Sequence, residues 1–163
     1  MTLRQIIIAA SFSLPFVSSA ARAEEKIVTT LSEGDEDGHS IGFEYESCGG
    51  ECYLGGFSCN SEGGNVEFQF GDVESDIAAN VVADEQHSFK VTAGSVTTEF
   101  SAYRLMFQEM TGTWSMEGNT FGETRPMLAA IAKSKTFVAV AGKLKLELPV
   151  TDDMKGWVKS CGG

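Results

Sequence analysis

Ile41-Gly42-Phe43-Glu44-Tyr45-Glu46 and Val66-Glu67-Phe68-Gln69-Phe70 place a large apolar side chain at every second position. Successive side chains of a strand point to opposite faces, so a period of two marks half-buried β-strands. The alternation returns at Phe89 and Val91, set among Ser88 and Lys90. It returns again at Leu144, Leu146 and Leu148, whose neighbours Lys143, Lys145 and Glu147 would face water. Lys26 to Leu31 also reads as a strand. Asp37-Gly38, Gly49-Gly50, Gly63-Gly64-Asn65, Gly94 and Gly142 separate these runs with turn residues. Short alternating strands so spaced predict a mainly β fold, an antiparallel β-sandwich or flattened barrel.

Glu99 to Met110 fits two periods. Tyr103, Leu105 and Phe107 suit a strand, whereas Phe100, Tyr103, Phe107 and Met110 suit a helical face. The β-branched run Val96-Thr97-Thr98 before it, and the turn Thr111-Gly112-Thr113 into Trp114, favour strand. Two short helices are expected in the C-terminal third, near 124–134 and 151–161. Thr124 precedes Pro126 and the run Met127 to Ile131, with Lys133 and Lys135 at the end that favours cations. Thr151 precedes Asp152 and Asp153, and Met154, Trp157, Val158 and Cys161 then form an i, i+3, i+4, i+7 stripe. That stripe turns Cys161 inward.

The first 23 residues read as an address. Arg4 lies near the amino terminus, a short apolar run extends from Ile6 to Val17, and Ala21-Arg22-Ala23 ends the segment. This is the three-part pattern of a secretory signal peptide, and the run is too short to cross a bilayer. A mature chain of 140 residues, 24–163, is therefore expected to start at Glu24 and form a single β-rich domain in a bacterial periplasm or outside the cell. No transmembrane segment is expected in it.

All four cysteines, Cys48, Cys52, Cys59 and Cys161, lie beyond residue 23. An even count in an exported chain predicts two disulfides, and the spacing matches no recognised zinc pattern. Gly49-Gly50-Glu51 would bring Cys48 and Cys52 together in a tight turn, leaving Cys59 for Cys161. Of the three pairings available, Cys48–Cys52 with Cys59–Cys161 is the preferred one.

Charge is uneven. Residues 24–88 hold 16 carboxylates against Lys26 alone, a net of −15, whereas residues 89–163 hold seven acids and nine bases, a net of +2. Such acidity argues against nucleic acid as a partner. It permits calcium or another protein, a cationic one included, as a partner, while a charge run is more usually a solvated face that serves solubility.

Candidate chemistry is sparse. Glu33, Asp35, Asp37 and the later Glu44 approach the calcium-loop spacing, with Gly38 for the turn. Flanking strands and Ser40 at the position of the apolar anchor favour an acidic hairpin tip instead. His39 and His87 are expected in exposed polar loops with no metal-ligand partner nearby. No nucleophile elbow, zinc-hydrolase or phosphate-cradling motif occurs, so neither catalytic residue nor cofactor is assigned. Lys133, Lys135, Lys143 and Lys145 could form a small basic strip.

Pro126-Met-Leu-Ala-Ala-Ile-Ala-Lys-Ser-Lys135, then Phe137 to Ala141, then Lys143 to Val150 and a last helix, resembles the end of small exported proteins of the invasion-associated locus B family. The early pair Cys48 and Cys52 is similar to theirs as well. The resemblance spans about the C-terminal third, implies a β-sandwich with a periplasmic or secreted role, and transfers no site residue. A non-catalytic binding or interaction protein is the leading expectation. It could inhibit a cationic cell-wall hydrolase or serve as an envelope or virulence-associated factor. The alternative is an envelope hydrolase with an unrecognised carboxylate site.

Overall fold

The computed structural model describes residues 25–34, 38–49, 52–60, 65–73, 88–109, 112–120 and 122–162. The strands are β1 (Ile27–Gly34), β2 (Gly38–Tyr45), β3 (Tyr53–Cys59), β4 (Val66–Val73), β5 (Ser88–Ala93), β6 (Val96–Gln108), β7 (Thr113–Asn119), β8 (Thr136–Ala141) and β9 (Leu144–Pro149). Two helices, α1 (Arg125–Lys133) and α2 (Asp152–Ser160), lie among the described residues of the C-terminal part. All nine strands join one antiparallel sheet in the order β1-β2-β3-β4-β7-β6-β5-β8-β9. That sheet curls into an almost closed barrel. Of the stretch read as ambiguous, residues 99–108 are strand within β6, and Met110 lies outside the described residues. No helix among the described residues is long and apolar enough to cross a membrane.

Alternation builds the interior. Ile41 and Phe43, Phe57, Val66, Phe68 and Phe70, Phe89 and Val91 are all buried, whereas their polar sequence neighbours are not. The rings pack against one another inside the barrel, some between neighbouring strands and some across it. Phe43 meets Phe137 at 5.5 Å between centroids, Phe57 meets Phe68 at 4.7 Å, and Phe89 stacks on Phe100 at 5.1 Å. Such geometries add to the burial of apolar area itself. Contact of Phe57 with Phe137 at 5.3 Å shows how far β8 has curled back over β3.

α2 closes the structure. Met154, Trp157 and Val158 are buried, and Trp157 lies on Phe57 at 5.3 Å. The indole N–H of Trp157 donates to the His39 carbonyl at 2.9 Å, which satisfies the one polar atom that the ring carries inward. Thr151 caps the helix by accepting from the Met154 N–H at 3.2 Å. Thr124 differs from expectation. It has helical backbone angles, is buried, and makes no side-chain cap bond. A capping hydroxyl needs extended backbone to turn back onto the first free N–H groups, which Thr151 has and Thr124 lacks.

Both disulfides pair as expected. Cys48–Cys52 has a Cα separation of 5.5 Å and Cys59–Cys161 one of 5.9 Å. The first sits on a short 3-10 turn, Glu46–Cys48, with Gly49 in the left-handed region, and the Tyr45 N–H donates to the Cys52 carbonyl at 3.3 Å. The second ties the end of α2 to the sheet.

Candidate functional site

A groove of about 430 Å³ crosses the outer face of the sheet over β1 to β4 and β7. Its walls are the residues that alternation turns away from the core: Thr30, Ser40, Glu44, Ser58, Glu67, Gln69 and Glu117. Neither lysine nor arginine is among the described residues lining it. Ser58 donates to Glu67 and Thr30 to Glu44, each at 3.3 Å. Arg104 on β6 approaches Glu117 from beside the groove at 3.7 Å.

Tyr53 lies on the floor, and the chain makes room for it twice. β2 and β3 slip register between Phe43 and Glu44, where Phe43 faces Gly55 but Glu44 faces Tyr53, leaving Leu54 as a bulge. A bulge shifts the parity of all that follows and re-aims side chains. Strand parity would place Tyr53 inside with Phe57 and Cys59. The bulge instead turns Leu54 against the core and Tyr53 out over the groove.

Glycines supply the second allowance. A methyl group on Gly42 would stand 3.1 Å from the Tyr53 ring, and one on Gly56 would stand 2.5 Å from its hydroxyl. The ring thus lies across two adjacent strands where a side chain is missing. Burial, with the Glu117 carboxylate adding to it, pushes the Tyr53 phenol up to about 12.

The other sequence candidates are dispersed. Asp35 and Asp37 lie outside the described residues, as does His87. Glu33 pairs with His39 and Glu44 with Val28, five positions farther along the hairpin, or about 17 Å of strand. Glu44 therefore does not close a loop with Glu33. It belongs to the groove. His39 is half-buried within β2 rather than in an exposed loop, because pairing of Gly34 with Gly38 carries the ladder almost to the turn. The lysines do not form one strip. Lys135 borders the Thr136–Pro149 end of the β8–β9 hairpin, while Lys143 and Lys145 sit at the Ala141–Leu144 end. No group of three or more His, Cys, Asp or Glu among the described residues could hold a metal ion.

A second cavity, of about 260 Å³, lies between Leu54, Phe70 and Val73 on one side and Leu144 and Leu146 of β9 on the other. Neither cavity was foreseen from sequence. The groove did leave one trace: Gly42 and Gly56 occupy outward positions on strands whose other outward residues are polar.

No family model, no curated protein and no solved structure matches the chain.

Proposed function

We propose that this is an exported, non-catalytic binding protein of the bacterial periplasm or extracellular space whose partner is a cationic protein. A basic cell-wall hydrolase is the concrete form of that partner, and the protein would then act as its inhibitor. The carrying observation is the groove, with Glu44, Glu67 and Glu117 on one concave face and no described lysine or arginine lining it. Two disulfides suit an oxidising compartment, and the leader-like residues 1–23 and the resemblance to the invasion-associated locus B family point the same way. Carboxylates gathered on one face attract a basic surface and orient it during encounter.

The test is titration of a basic hydrolase such as lysozyme with the purified protein at low salt. Loss of hydrolase activity, restored by salt, is the expected result. Unchanged activity with the protein in excess removes the inhibitor, and absence of any binding to basic proteins removes the reading as a whole.

A second reading has one observation in its favour. Glu67 and Glu117 are diagonal neighbours on β4 and β7, since Glu67 pairs with Asn119 and Gln69 with Glu117. Two carboxylates in one cleft are the minimum equipment of a glycan hydrolase. Turnover of cell-wall glycan that Glu67→Gln and Glu117→Gln each abolish would establish the envelope hydrolase instead.

A further inference from the structure

We propose that the second cavity seats the end of one unbranched aliphatic chain, carried by an amphiphile whose carboxylate head lies at Lys143. The site is separate from the acidic groove, although Tyr53 borders both.

The two ends of the barrel are finished differently. At one end His39 pairs with Cys59 and Cys59 with Val66, and the helices cover it. Trp157 donates to the His39 carbonyl, Cys161 is bridged to Cys59, and α1 packs on β5, β6 and α2. The cavity lies toward the other end, where β2 finishes at Tyr45, β3 begins at Tyr53, β4 finishes at Val73 and β9 begins at Leu144. Neither helix contributes a residue to its described lining.

β7, β6, β5 and β8 stand between β4 and β9 in the sheet, so the wall of Phe70 and Val73 faces that of Leu144 and Leu146 from across the barrel. These four side chains and Leu54 belong to the core or pack against it. Packed interiors leave few voids larger than a water molecule. At about 260 Å³ this one is far larger, yet it stays below the roughly 300 Å³ at which pockets for drug-sized molecules begin. A slim apolar occupant fits such a space, and each methylene that displaces water from these walls adds to affinity.

Apolar surface continues past the cavity. Trp114 pairs with Val73, and Phe107 pairs with Trp114 on the face that also carries the buried Met116. Phe107 is half-exposed and meets Trp114 at 5.3 Å between centroids. Charge selects the head group. Lys143 directly precedes Leu144 in the turn at this end, is exposed, and makes no ion pair among the described residues. It belongs to the half of the chain with a net charge of +2 rather than to the acidic half. An ammonium group so placed favours a carboxylate over a neutral head.

The probes are decanoate, hexanoate and decanol, added below the concentrations at which they aggregate. Methyl resonances of Leu54, Val73, Leu144 and Leu146 report the cavity, and those of Leu128 and Val158 report the helix-covered end. Decanoate is expected to shift the first set saturably and leave the second in place. Each methylene removed should weaken binding by up to about fourfold, so hexanoate binds far less tightly. Decanol should seat more weakly than decanoate, and Lys143→Gln should bring decanoate down to decanol's affinity. Leu146→Trp, which fills the cavity, should abolish the shifts.

Affinity independent of chain length overturns the proposal, as do shifts spread equally over both ends of the barrel. Equal binding of decanol and decanoate to the unaltered protein overturns it too, because the head would then play no part. The probe series needs no variant, so it decides the matter even if Leu146→Trp fails to fold. Decanoate binding that basic proteins neither compete with nor require leaves the proposed function to its own test.

Discussion

At the scale of single residues, Tyr53 is where the chain departs furthest from its simplest reading. The folded phenol keeps its proton up to about 12, whereas an unfolded chain releases it near 10. Over that window the folded state holds more protons, so Tyr53 contributes stability that is present below about pH 10 and declines as pH rises through about 12. Tyrosinate absorbance measured against pH should show a late-titrating phenol. Glu117→Gln should move it back toward 10, by a limited amount because burial is the larger cause. A second expectation concerns Gly56. Alanine there would put a methyl group 2.4 Å from the Ile41 carbonyl and 2.5 Å from the Tyr53 hydroxyl, and the first of these atoms is backbone that cannot swing aside. Gly56→Ala should cost about 1–3 kcal/mol, the usual range for overpacking, in urea unfolding. It should also lower the Tyr53 titration by lifting the ring. None of this was legible beforehand, because parity counted from Cys59 back through Phe57 puts Tyr53 indoors. One inserted residue, Leu54, reverses the face, and a bulge is a property of pairing with a neighbour rather than of the strand's own pattern.

Secondary-structure elements were far more legible, for reasons the two helices make plain. Met154, Trp157 and Val158 recur at helical spacing and are the residues α2 buries, as Met127, Leu128 and Ile131 are for α1. The caps separate what composition can and cannot say. Both helices have a threonine before them, yet only Thr151 accepts from the helix, at 3.2 Å, and it also lies 3.2 Å from the Thr29 hydroxyl on β1. Thr151→Ala should therefore cost about 1 kcal/mol in chemical unfolding, the ordinary value of a lost cap. Thr124→Ala loses no cap, so any cost there comes from its buried packing. The Cys59–Cys161 bridge spans 102 residues of sequence against four for Cys48–Cys52. In the chain-entropy model a long closed loop restricts the unfolded chain more than a short one. Cys161→Ser should thus destabilise by about 2–5 kcal/mol, and by more than Cys52→Ser. Equal losses would mean that the bridge acts mainly by packing, since Cys161 is itself buried.

At the scale of the whole molecule, strand order lay beyond the sequence even though the strands did not. β4 pairs with β7 rather than β5, and β8 returns to lie beside β5, so the sheet is assembled by long-range partners whose alternation patterns look alike. The groove inherits that opacity: Glu67 and Glu117 meet because β4 and β7 are neighbours, not because fifty residues apart carries any signal. Charge, by contrast, was readable and has a kinetic consequence. Residues 24–88 carry a net of −15, and four of the five strands beneath the groove come from them. The screening length falls from about 30 Å at 0.01 M salt to about 8 Å at 0.15 M, so an acidic face draws in a basic partner over a distance at low salt and only near contact at high salt. Association measured by stopped flow should slow about tenfold or more across that range, with dissociation changing less. Net charge and local field can be separated by two variants of equal charge. Glu44→Gln with Glu67→Gln removes two charges inside the groove, and Glu99→Gln with Glu147→Gln removes two from exposed positions on β6 and β9. A larger loss of association rate from the first pair means that the groove itself aims the encounter. Identical losses would assign the steering to total charge and leave the acidic half of the chain a property of solubility.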